Sequence, residues 1–374
     1  MKKKILIVSG EESGDMYASE IIKKIESENF FDIYAMGSSK VKETSAKLIL
    51  DSKELSVTGI YEVIKMYPKL LKALESVKNV IKTQKPDLIV LIDYQEFNIK
   101  IAKYAKELNL KVLFYIGPQV WAWRRNRVYS IKKYIDKMAV IFPFEEKIYE
   151  ECGVNVCYVG HPLTYFQKKK YTSKEKGSKK NFNIGFFPGS RENEVNRLLP
   201  VINKCIKSLE KGNNNLNFIV SKSKNLNKSS FLKNITENSY TKIEEVNDIN
   251  ETIGKCDIAV AASGTITLQL ALSDTPMCVM YKLSPITYFI AKYLVSTKYI
   301  SLVNILAEKL AVKEFIQNNV NEVNIVAEVK KLLYNRDYNL KVKEDLSKVR
   351  SKLEDNKSRD DIIDIIYEMA AAED

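Results

Sequence analysis

The chain has 374 residues, 45% of them hydrophobic, which is enough for two compact α/β domains. A single histidine and five cysteines without a CxxC pair nearly exclude a histidine-based metal site, structural zinc and a disulfide framework. The formal net charge of +12 favours an anionic partner. Nucleic acid, an anionic membrane surface, a phosphorylated substrate and compositional drift on solvated faces all remain open explanations of that charge.

Short apolar runs alternate with helical patterns along the first half of the chain, which predicts the βαβ units of a parallel sheet. The strands predicted there are Ile5–Val8, Ile33–Met36, Leu88–Ile92, Val112–Ile116, Met138–Ile141 and Val156–Val159. A second series of strands is predicted at Ile184–Phe187, Phe218–Val220, Ile258–Ala261 and Met277–Met280. The simplest architecture is therefore two Rossmann-like, doubly wound parallel-sheet domains facing a cleft.

The Lys-rich composition after the last strand of the first series sets the domain boundaries. We expect an N-terminal domain over 1–167, a linker over 168–181 and a C-terminal domain over 182–345. A C-terminal helix over 346–374 is expected to pack either on the N-terminal domain or on a second subunit. No stretch has the length and composition of a transmembrane segment or a signal peptide, which predicts a cytoplasmic protein.

Two loops after strands of the first half could carry chemistry, because parallel sheets bind ligands beyond the carboxyl ends of their strands. Gly10–Asp15 offers small residues at a helix N-terminus, although a turn in which Ser13 or Asp15 caps the helix explains it equally well. Asp93 directly follows the apolar strand Leu88–Ile92. Partial desolvation there would raise its proton affinity and suit it to general-base work, with helix capping as the competing explanation.

Two loops of the second half have the composition of phosphate sites. Pro188–Arg191 and Ser263–Thr265 each place small residues and free backbone N–H groups before a helix. Arg191 can also pair bidentately with a phosphate. Two such loops in one domain predict a nucleotide diphosphate. The chain has no Asp-x-Asp triplet, so the leaving group would be stabilised by helix dipoles and cations without a metal or another cofactor.

Other segments allow more than one interpretation. His161 either contacts the donor or is a satisfied hinge residue, and for Trp121–Arg125 we favour packing combined with ligand contact over nucleic-acid stacking. Helical apolar spacing over Val57–Lys82, which Pro68 is expected to split into two helices, and the apolar stretch Pro285–Val295 could meet lipid. Packing of these helices on their own sheets is the commoner explanation.

Seven motifs together resemble the lipid-A-disaccharide synthase family, and they occur in that family's order over nearly the whole chain. They are GEESGD at Gly10–Asp15, IDYQEFN at Ile92–Asn98, PQVWAWR at Pro118–Arg124, VGHPL at Val159–Leu163, PGSR at Pro188–Arg191, ASGT at Ala262–Thr265 and YKLSP at Tyr281–Pro285.

The resemblance implies a GT-B fold and an inverting, metal-independent glycosyltransferase. Such an enzyme transfers 2,3-diacylglucosamine from UDP-2,3-diacylglucosamine to 2,3-diacylglucosamine 1-phosphate, forming the β-1,6 lipid A disaccharide 1-phosphate and UDP. It also implies a Gram-negative source, an N-terminal acceptor domain, a C-terminal UDP-sugar domain and peripheral association with the cytoplasmic face of the inner membrane. We expect no nucleic-acid partner, and a homodimer remains open.

The resemblance also assigns roles to matching positions. Asp93 becomes the catalytic base and Arg191 the catalytic cation. The residues assigned to UDP-sugar binding are Ser190, Gly264, Thr265, Gln269, Tyr281, Asn304 and His161. Those assigned to acceptor binding are Glu12, Ser13, Asp15 and Asn98.

Four positions depart from the family pattern, and two rival functions remain. Gln269 stands where a glutamate is usual, and Val303 replaces a proline. Tyr165 stands where an acid is frequent, and Glu308–Lys309 stands where a glycine is common. A second GT-B activity, either another UDP-N-acetylglucosamine transferase or an epimerase, would turn over a UDP-sugar without acyl chains. A non-catalytic basic protein would bind any polyanion in a salt-sensitive way and release no UDP.

Overall fold

The chain forms two compact units, one of Met1–Lys168 with Leu353–Asp374 and one of Lys169–Lys352. The computed structural model describes residues 2–55, 60–121, 126–165, 181–211, 215–224, 226–246, 248–285, 287–289, 297–354 and 361–372. The predicted linker lies outside these ranges except for Asn181.

The first unit is built on a seven-stranded sheet in which every neighbouring pair of strands is parallel. Its strands are β1 (Lys3–Ser9), β2 (Phe31–Gly37), β3 (Lys47–Asp51), β4 (Leu88–Ile92), β5 (Val112–Tyr115), β6 (Lys137–Val140) and β7 (Val156–Tyr158). Their spatial order is β3-β2-β1-β4-β5-β6-β7. The helices between them are α1 (Glu12–Glu26), α2 (Ile60–Gln84), α3 (Gln95–Glu107), α4 (Arg127–Tyr134), α5 (Pro143–Glu150) and α6 (Pro162–Tyr165).

The second unit is built on a six-stranded parallel sheet of order β10-β9-β8-β11-β12-β13. Its strands are β8 (Phe182–Phe187), β9 (Leu216–Lys222), β10 (Thr241–Glu245), β11 (Ile258–Ala262), β12 (Met277–Tyr281) and β13 (Lys313–Ile316). Its helices are α7 (Glu192–Glu210), α8 (Lys228–Leu232), α9 (Ile249–Lys255), α10 (Thr265–Leu272), α11 (Leu302–Ala307), α12 (Glu322–Tyr334) and α13 (Arg336–Glu354).

All ten predicted strands are present, because their apolar runs are the buried centres of the two sheets. Every residue of β4 and of β11 is buried, as expected for parallel strands covered on both faces. The sequence interpretation missed β3, β10 and β13, which all lie at sheet edges. Each of them combines apolar residues with charged ones, such as Lys47 and Asp51 in β3 and Lys313 and Glu314 in β13.

The prediction that Pro68 splits its segment into two helices is wrong, because α2 runs unbroken from Ile60 to Gln84. Proline fixes φ at a helical value and removes a single N–H donor. Pro68 and both of its neighbours are exposed, so the proline lies on the solvent face of the helix. Helix α7 likewise continues through Pro200, which is exposed.

The expected C-terminal helix is two helices in the structure. The first, α13, starts before residue 346 and ends at Glu354, and the second is α14 (Ile362–Ala371). Helix α14 packs against α1, β1 and β4 of the first unit, where Tyr367 lies 5.1 Å from Phe31 between ring centroids. The chain therefore returns to the first unit after completing the second.

Candidate active site

The first sheet changes winding direction between β1 and β4. The chain continues from β1 to β2 and β3 on one side and from β4 to β5, β6 and β7 on the other. Ligands of open α/β sheets bind at such a switch point, beyond the carboxyl ends of the strands. Gly10–Asp15 directly follows β1 and Asp93–Asn98 directly follows β4, so both predicted loops of the first half lie there.

The backbone at the end of β4 adopts an uncommon conformation. Asp93 and Tyr94 are successive left-handed residues, with φ values of 51° and 45°. This conformation suits Asp but is costly for a bulky residue such as Tyr, and such strain clusters at functional sites. Asn98 stabilises it, because the buried Nδ2 donates to the carbonyls of Asp93 (2.7 Å) and Ile92 (3.3 Å). Asn98 therefore shapes the site through the backbone that it holds.

The loops after β1 and β4 contact each other through Gly10 and Tyr94. A Cβ atom at Gly10 would lie 2.2 Å from the Tyr94 ring, so only glycine permits this approach. Burial, with a smaller contribution from the negative charge of Glu11, raises the pKa of Tyr94 to about 12. The ring thus fills the space between the two loops as a neutral phenol and leaves Asp93, which is half-buried, at their edge.

Helix α1 begins at Glu12 with Glu11 in the capping position, so the alternative in which Ser13 or Asp15 caps it is wrong. Glu12 is exposed and Ser13 half-buried, whereas Asp15 is only 2% exposed. The Asp15 carboxylate accepts hydrogen bonds from the backbone N–H groups of Ser38, Lys40 (2.8 Å) and Val41 (3.4 Å). Asp15 therefore anchors the loop after β2, and a direct contact with the acceptor stays a prediction.

His161 lies in a second cluster of the first unit, formed by the loops after β5, β6 and β7. The side chain is 3% exposed, and its centroid lies 5.5 Å from that of Phe142. Burial lowers the pKa of His161 to about 3, so the imidazole is neutral. Its Nδ1 accepts a hydrogen bond from the Leu163 N–H at 3.2 Å. The contacts described for His161 are those of a satisfied core residue, and donor contact stays a prediction.

Trp121 and Glu145 complete this cluster. The Trp121 indole packs edge-on against Phe144 at 5.1 Å and donates from Nε1 to Glu145 Oε1 at 2.9 Å. The packing part of the prediction for Trp121 is confirmed, while 122–125 lie outside the described residues. Burial raises the pKa of Glu145 to about 7, against the hydrogen bonds from Trp121, Phe142 and Ile141 that lower it.

The second sheet changes direction between β8 and β11. The two predicted phosphate loops directly follow these two strands. Arg191 is exposed in the capping position of α7, and Ser190 is exposed beside it. Gly264 precedes α10, and Thr265 is its first residue. The ends of two adjacent strands therefore bring these four residues to the same edge of one sheet.

A carboxylate lies directly under the first phosphate loop. Gly189 has a φ of +101°, and a Cβ atom there would lie 2.3 Å from Glu194 Oε2. Burial raises the pKa of Glu194 to about 7, against the positive charges of Arg191 and Arg197. Burial also raises the pKa of Tyr281, and the negative charge of Glu194 raises it further, whereas the positive charge of Arg191 lowers it. Tyr281 thus lies within electrostatic range of Glu194 and Arg191, and its contact with the donor stays a prediction.

Asn304 is fully buried in a network beside the second phosphate loop. Its Nδ2 donates to the Val312 carbonyl (2.9 Å) and to Glu314 Oε1 (2.8 Å), so both amide hydrogens are used. Ser263 Oγ donates to the Ile300 carbonyl at 3.3 Å, and the Ile300 N–H donates to Glu314. Asn304 therefore holds the segment that contacts this loop, and any contribution to donor binding would be made through that segment.

Gln269 is 7% exposed on α10, one turn after Thr265.

Three residues of the site escaped the sequence interpretation: Glu145, Glu194 and Glu314. Glu145 and Glu194 each occupy the third position of a helix, and Pro143 before Glu145 was the available signal of a helix start. Glu314 lies on the missed edge strand β13 and carried no such signal.

Within the described ranges, no cluster of three or more His, Cys, Asp or Glu side chains is arranged to hold a metal ion. The same ranges contain no helix that is long and apolar enough to span a membrane.

Residues 5–366 match the family model described as lipid-A-disaccharide synthetase. The lipid-A-disaccharide synthase of Trichlorobacter lovleyi is 36% identical over 358 residues, covering 94% of this chain and 93% of its own. Lipid-A-disaccharide synthase 1 of Legionella pneumophila strain Paris is 39% identical over 332 residues, covering 86% of each chain.

Solved structures with the same fold are more distant in sequence. Staphylococcus aureus MnaA, solved with UDP, superposes with a TM-score of 0.65 at 14% identity and covers 99% of this chain and 98% of its own. MurG of Acinetobacter baumannii gives a TM-score of 0.61 at 14% identity, covering 98% of this chain and 100% of its own. The predicted fold class, two Rossmann-like parallel-sheet domains of the GT-B type, is confirmed.

The contacts of Asp15 generate a stability prediction. Asp15→Asn replaces one acceptor oxygen by an NH₂ group facing backbone donors, so the free energy of unfolding should fall by about 1–3 kcal/mol. Glu12→Gln, on an exposed position of the same helix, should change it by less than about 0.5 kcal/mol. Urea denaturation followed by circular dichroism measures both. An Asp15→Asn protein of unchanged stability but raised acceptor KM would assign Asp15 to substrate contact instead.

Proposed function

The chain belongs to the lipid-A-disaccharide synthase family, and we propose that Asp93 is the general base of the transfer that this family catalyses. The enzyme is a glycosyltransferase. It joins UDP-2,3-diacylglucosamine and 2,3-diacylglucosamine 1-phosphate into the lipid A disaccharide 1-phosphate, with release of UDP. The observation that carries the assignment is the left-handed Asp93–Tyr94 pair at the switch point of the first sheet.

The proposed reaction is a single displacement with inversion. The Asp93 carboxylate takes the proton of the acceptor 6-hydroxyl, and that oxygen attacks the anomeric carbon of the donor sugar. The bond from this carbon to the β-phosphate oxygen breaks, and its electron pair leaves with UDP. Asp93 supports this role because it is half-buried and fixed by its backbone N–H, which donates to the Tyr115 carbonyl at 3.1 Å.

The negative charge that develops on UDP requires stabilisation, and the second unit supplies it in this proposal. The N-termini of α7 and α10 supply backbone N–H groups and the positive ends of helix dipoles, to which Arg191 adds a full positive charge. Ser190, Gly264 and Thr265 leave room for the diphosphate to approach the backbone. We therefore assign the UDP-sugar to the second unit and the acceptor to the first, with transfer independent of a metal ion.

Asp93→Asn tests the base. Asn adopts the left-handed conformation as readily as Asp, so the loop should keep its shape while the proton acceptor is lost. Turnover should fall by ~10²-fold or more, and UDP affinity should stay at the wild-type value. UDP release under saturating substrates gives the first quantity, and calorimetric titration with UDP gives the second. Wild-type turnover in this variant would remove Asp93 from the mechanism.

Arg191→Ala tests the phosphate site. Removing a charge-assisted contact should weaken UDP binding by roughly 1.5–3 kcal/mol, and Arg191→Lys should recover part of it because the charge is kept without the bidentate geometry. Arg197→Ala is the matched control, since Arg197 also lies on α7 and acts on Glu194. Calorimetric titration with UDP compares the three. Unchanged affinity in Arg191→Ala would move the phosphate site elsewhere.

The outer face of α2 is the surface that we assign to the inner membrane. Tyr67 and Leu71 are 51% and 41% exposed, whereas Leu74, Val77 and Ile81 of the same helix pack in the core. Lys69 and Lys72 are exposed beside them. Exposed apolar side chains flanked by lysines suit an anionic bilayer surface, where the lipid substrates lie. Val57 and most of 286–296 lie outside the described residues.

Leu71→Glu tests this surface, because it replaces an inserting side chain by a charge that anionic lipid repels. Co-sedimentation with phosphatidylglycerol vesicles should weaken by about tenfold. Leu340→Glu is the matched control, because Leu340 is 43% exposed on α13. A second copy of the chain is the other molecule that could cover this face, and light scattering of both variants measures whether a dimer is lost. Loss of a dimer in Leu71→Glu with unchanged vesicle binding would assign the face to self-association.

A further inference from the structure

The segment between β5 and α4 is tied to the Asp93 loop at both of its ends. At its start, the Tyr115 carbonyl accepts from the Asp93 N–H at 3.1 Å. At its end, the Arg127 guanidinium donates to the side chains of Gln95 and Glu96 on α3. Any displacement of this segment would therefore be transmitted to the loop that carries the proposed base.

The segment also begins with strain. Ile116 is left-handed, with a φ of 60°, which is rare for a β-branched residue. A conformation of this kind persists only where surrounding contacts hold it. The next residue is packed tightly as well, because a Cβ atom at Gly117 would lie 1.5 Å from Met138 Cε.

Helix α5 supplies contacts that hold the described middle of this segment. The buried Tyr149 hydroxyl donates to the Pro118 carbonyl at 2.6 Å, and Trp121 Nε1 donates to Glu145 Oε1 at 2.9 Å. Both acceptor and donor groups lie on the same helix, one turn apart. Helix α5 thus fixes the segment at two points between its ends.

Glu145 accepts more hydrogen bonds than capping its own helix requires. The side chain is 4% exposed, and Oε2 accepts from the backbone N–H groups of Ile141 (3.3 Å) and Phe142 (3.1 Å) while Oε1 accepts from Trp121. An ionised carboxylate can accept at both oxygens. A neutral carboxyl group carries a hydroxyl on one of them, so it cannot serve all three donors equally.

We propose that Glu145 is a positioning residue for the transfer reaction, acting through Trp121 to fix the segment beside the Asp93 loop. The proposal rests on the assignment of Asp93 as the base. Glu145 does not touch the reacting atoms in this account. Its effect on turnover arises because a small misplacement of a catalytic group is costly to the rate.

The protonation of Glu145 offers an independent readout. Burial raises the pKa of Glu145 to about 7, so the Trp121 contact should be complete above that pH and weaken as the pH falls through it. Among the described residues, the titratable or charged groups around it are Tyr149, Arg127, Cys152 and His161. Burial raises the pKa of Tyr149 above its ordinary value and lowers that of His161 to about 3. Neither Tyr149 nor His161 changes charge near neutral pH.

The chain has two tryptophans, Trp121 and Trp123. The experiment therefore uses the full chain with Trp123→Phe as the parent, in which Trp121 is the sole source of tryptophan emission. Its emission should titrate with a midpoint near pH 7 in the parent and stay flat in Glu145→Gln. Turnover should fall by about 10–100-fold in Glu145→Gln, with UDP affinity unchanged. Trp121→Phe keeps the aromatic packing but removes the N–H donor, so its turnover should fall similarly and the double variant should lose little more.

Each outcome has one meaning. Parent-like turnover in Trp121→Phe would reduce Glu145 to a structural cap and overturn the proposal, even where Glu145→Gln folds poorly. Asp93→Asn in the same parent is assayed alongside. Full turnover in that variant would refute the base itself, whereas loss in Asp93→Asn with none in Trp121→Phe would refute only the positioning role.

Discussion

The proposed base is held in place by one strained turn, the left-handed Asp93–Tyr94 pair at the carboxyl end of β4. Such a turn needs support from every side, and the first unit provides it. Asn98 binds the two carbonyls that precede and form it, Gly10 leaves room for the Tyr94 ring, and the Tyr115 carbonyl accepts from the Asp93 N–H. The first two contacts are particular to this turn, and the third continues the pairing of β4 with β5. The result is a carboxylate at the sheet edge whose backbone is fixed before substrate arrives.

The second unit has the same order of strands around its switch point, but its loops are proposed to bind a diphosphate. Its two loops must accept a strongly negative diphosphate, yet Glu194 lies against Gly189 directly under one of them. Burial holds the pKa of this carboxyl at about 7, so part of its negative charge is absent near neutral pH. The positive charge of Arg191 and the helix N-termini therefore act at the loop without full opposition. Glu145 in the first unit shows the same combination of burial and raised pKa.

The sequence predicts what burial dictates. Strands such as Leu88–Ile92 are buried on both faces and read as unbroken apolar runs, and the loops that follow them are placed by topology alone. Edge strands such as Lys313–Ile316 are half exposed and were missed, together with Glu314, which one of them carries. The Pro68 prediction failed because a local rule ignores solvent access. The hydrogen bonds that Asp15 and Asn304 make within the protein could not be foreseen, because those of Asp15 reach the loop after β2 and those of Asn304 reach the missed edge strand β13 and the residue before it.

The most direct test of this account is UDP release by the purified protein in detergent and a metal chelator, with UDP-2,3-diacylglucosamine supplied with and without 2,3-diacylglucosamine 1-phosphate. Base-assisted attack by the acceptor hydroxyl, with charge stabilised by Arg191 and helix N-termini, predicts release that requires the acceptor and survives the chelator. Release abolished by the chelator would contradict the metal-independent mechanism. Absence of release from folded protein that binds UDP would contradict the substrate assignment while leaving the fold in place.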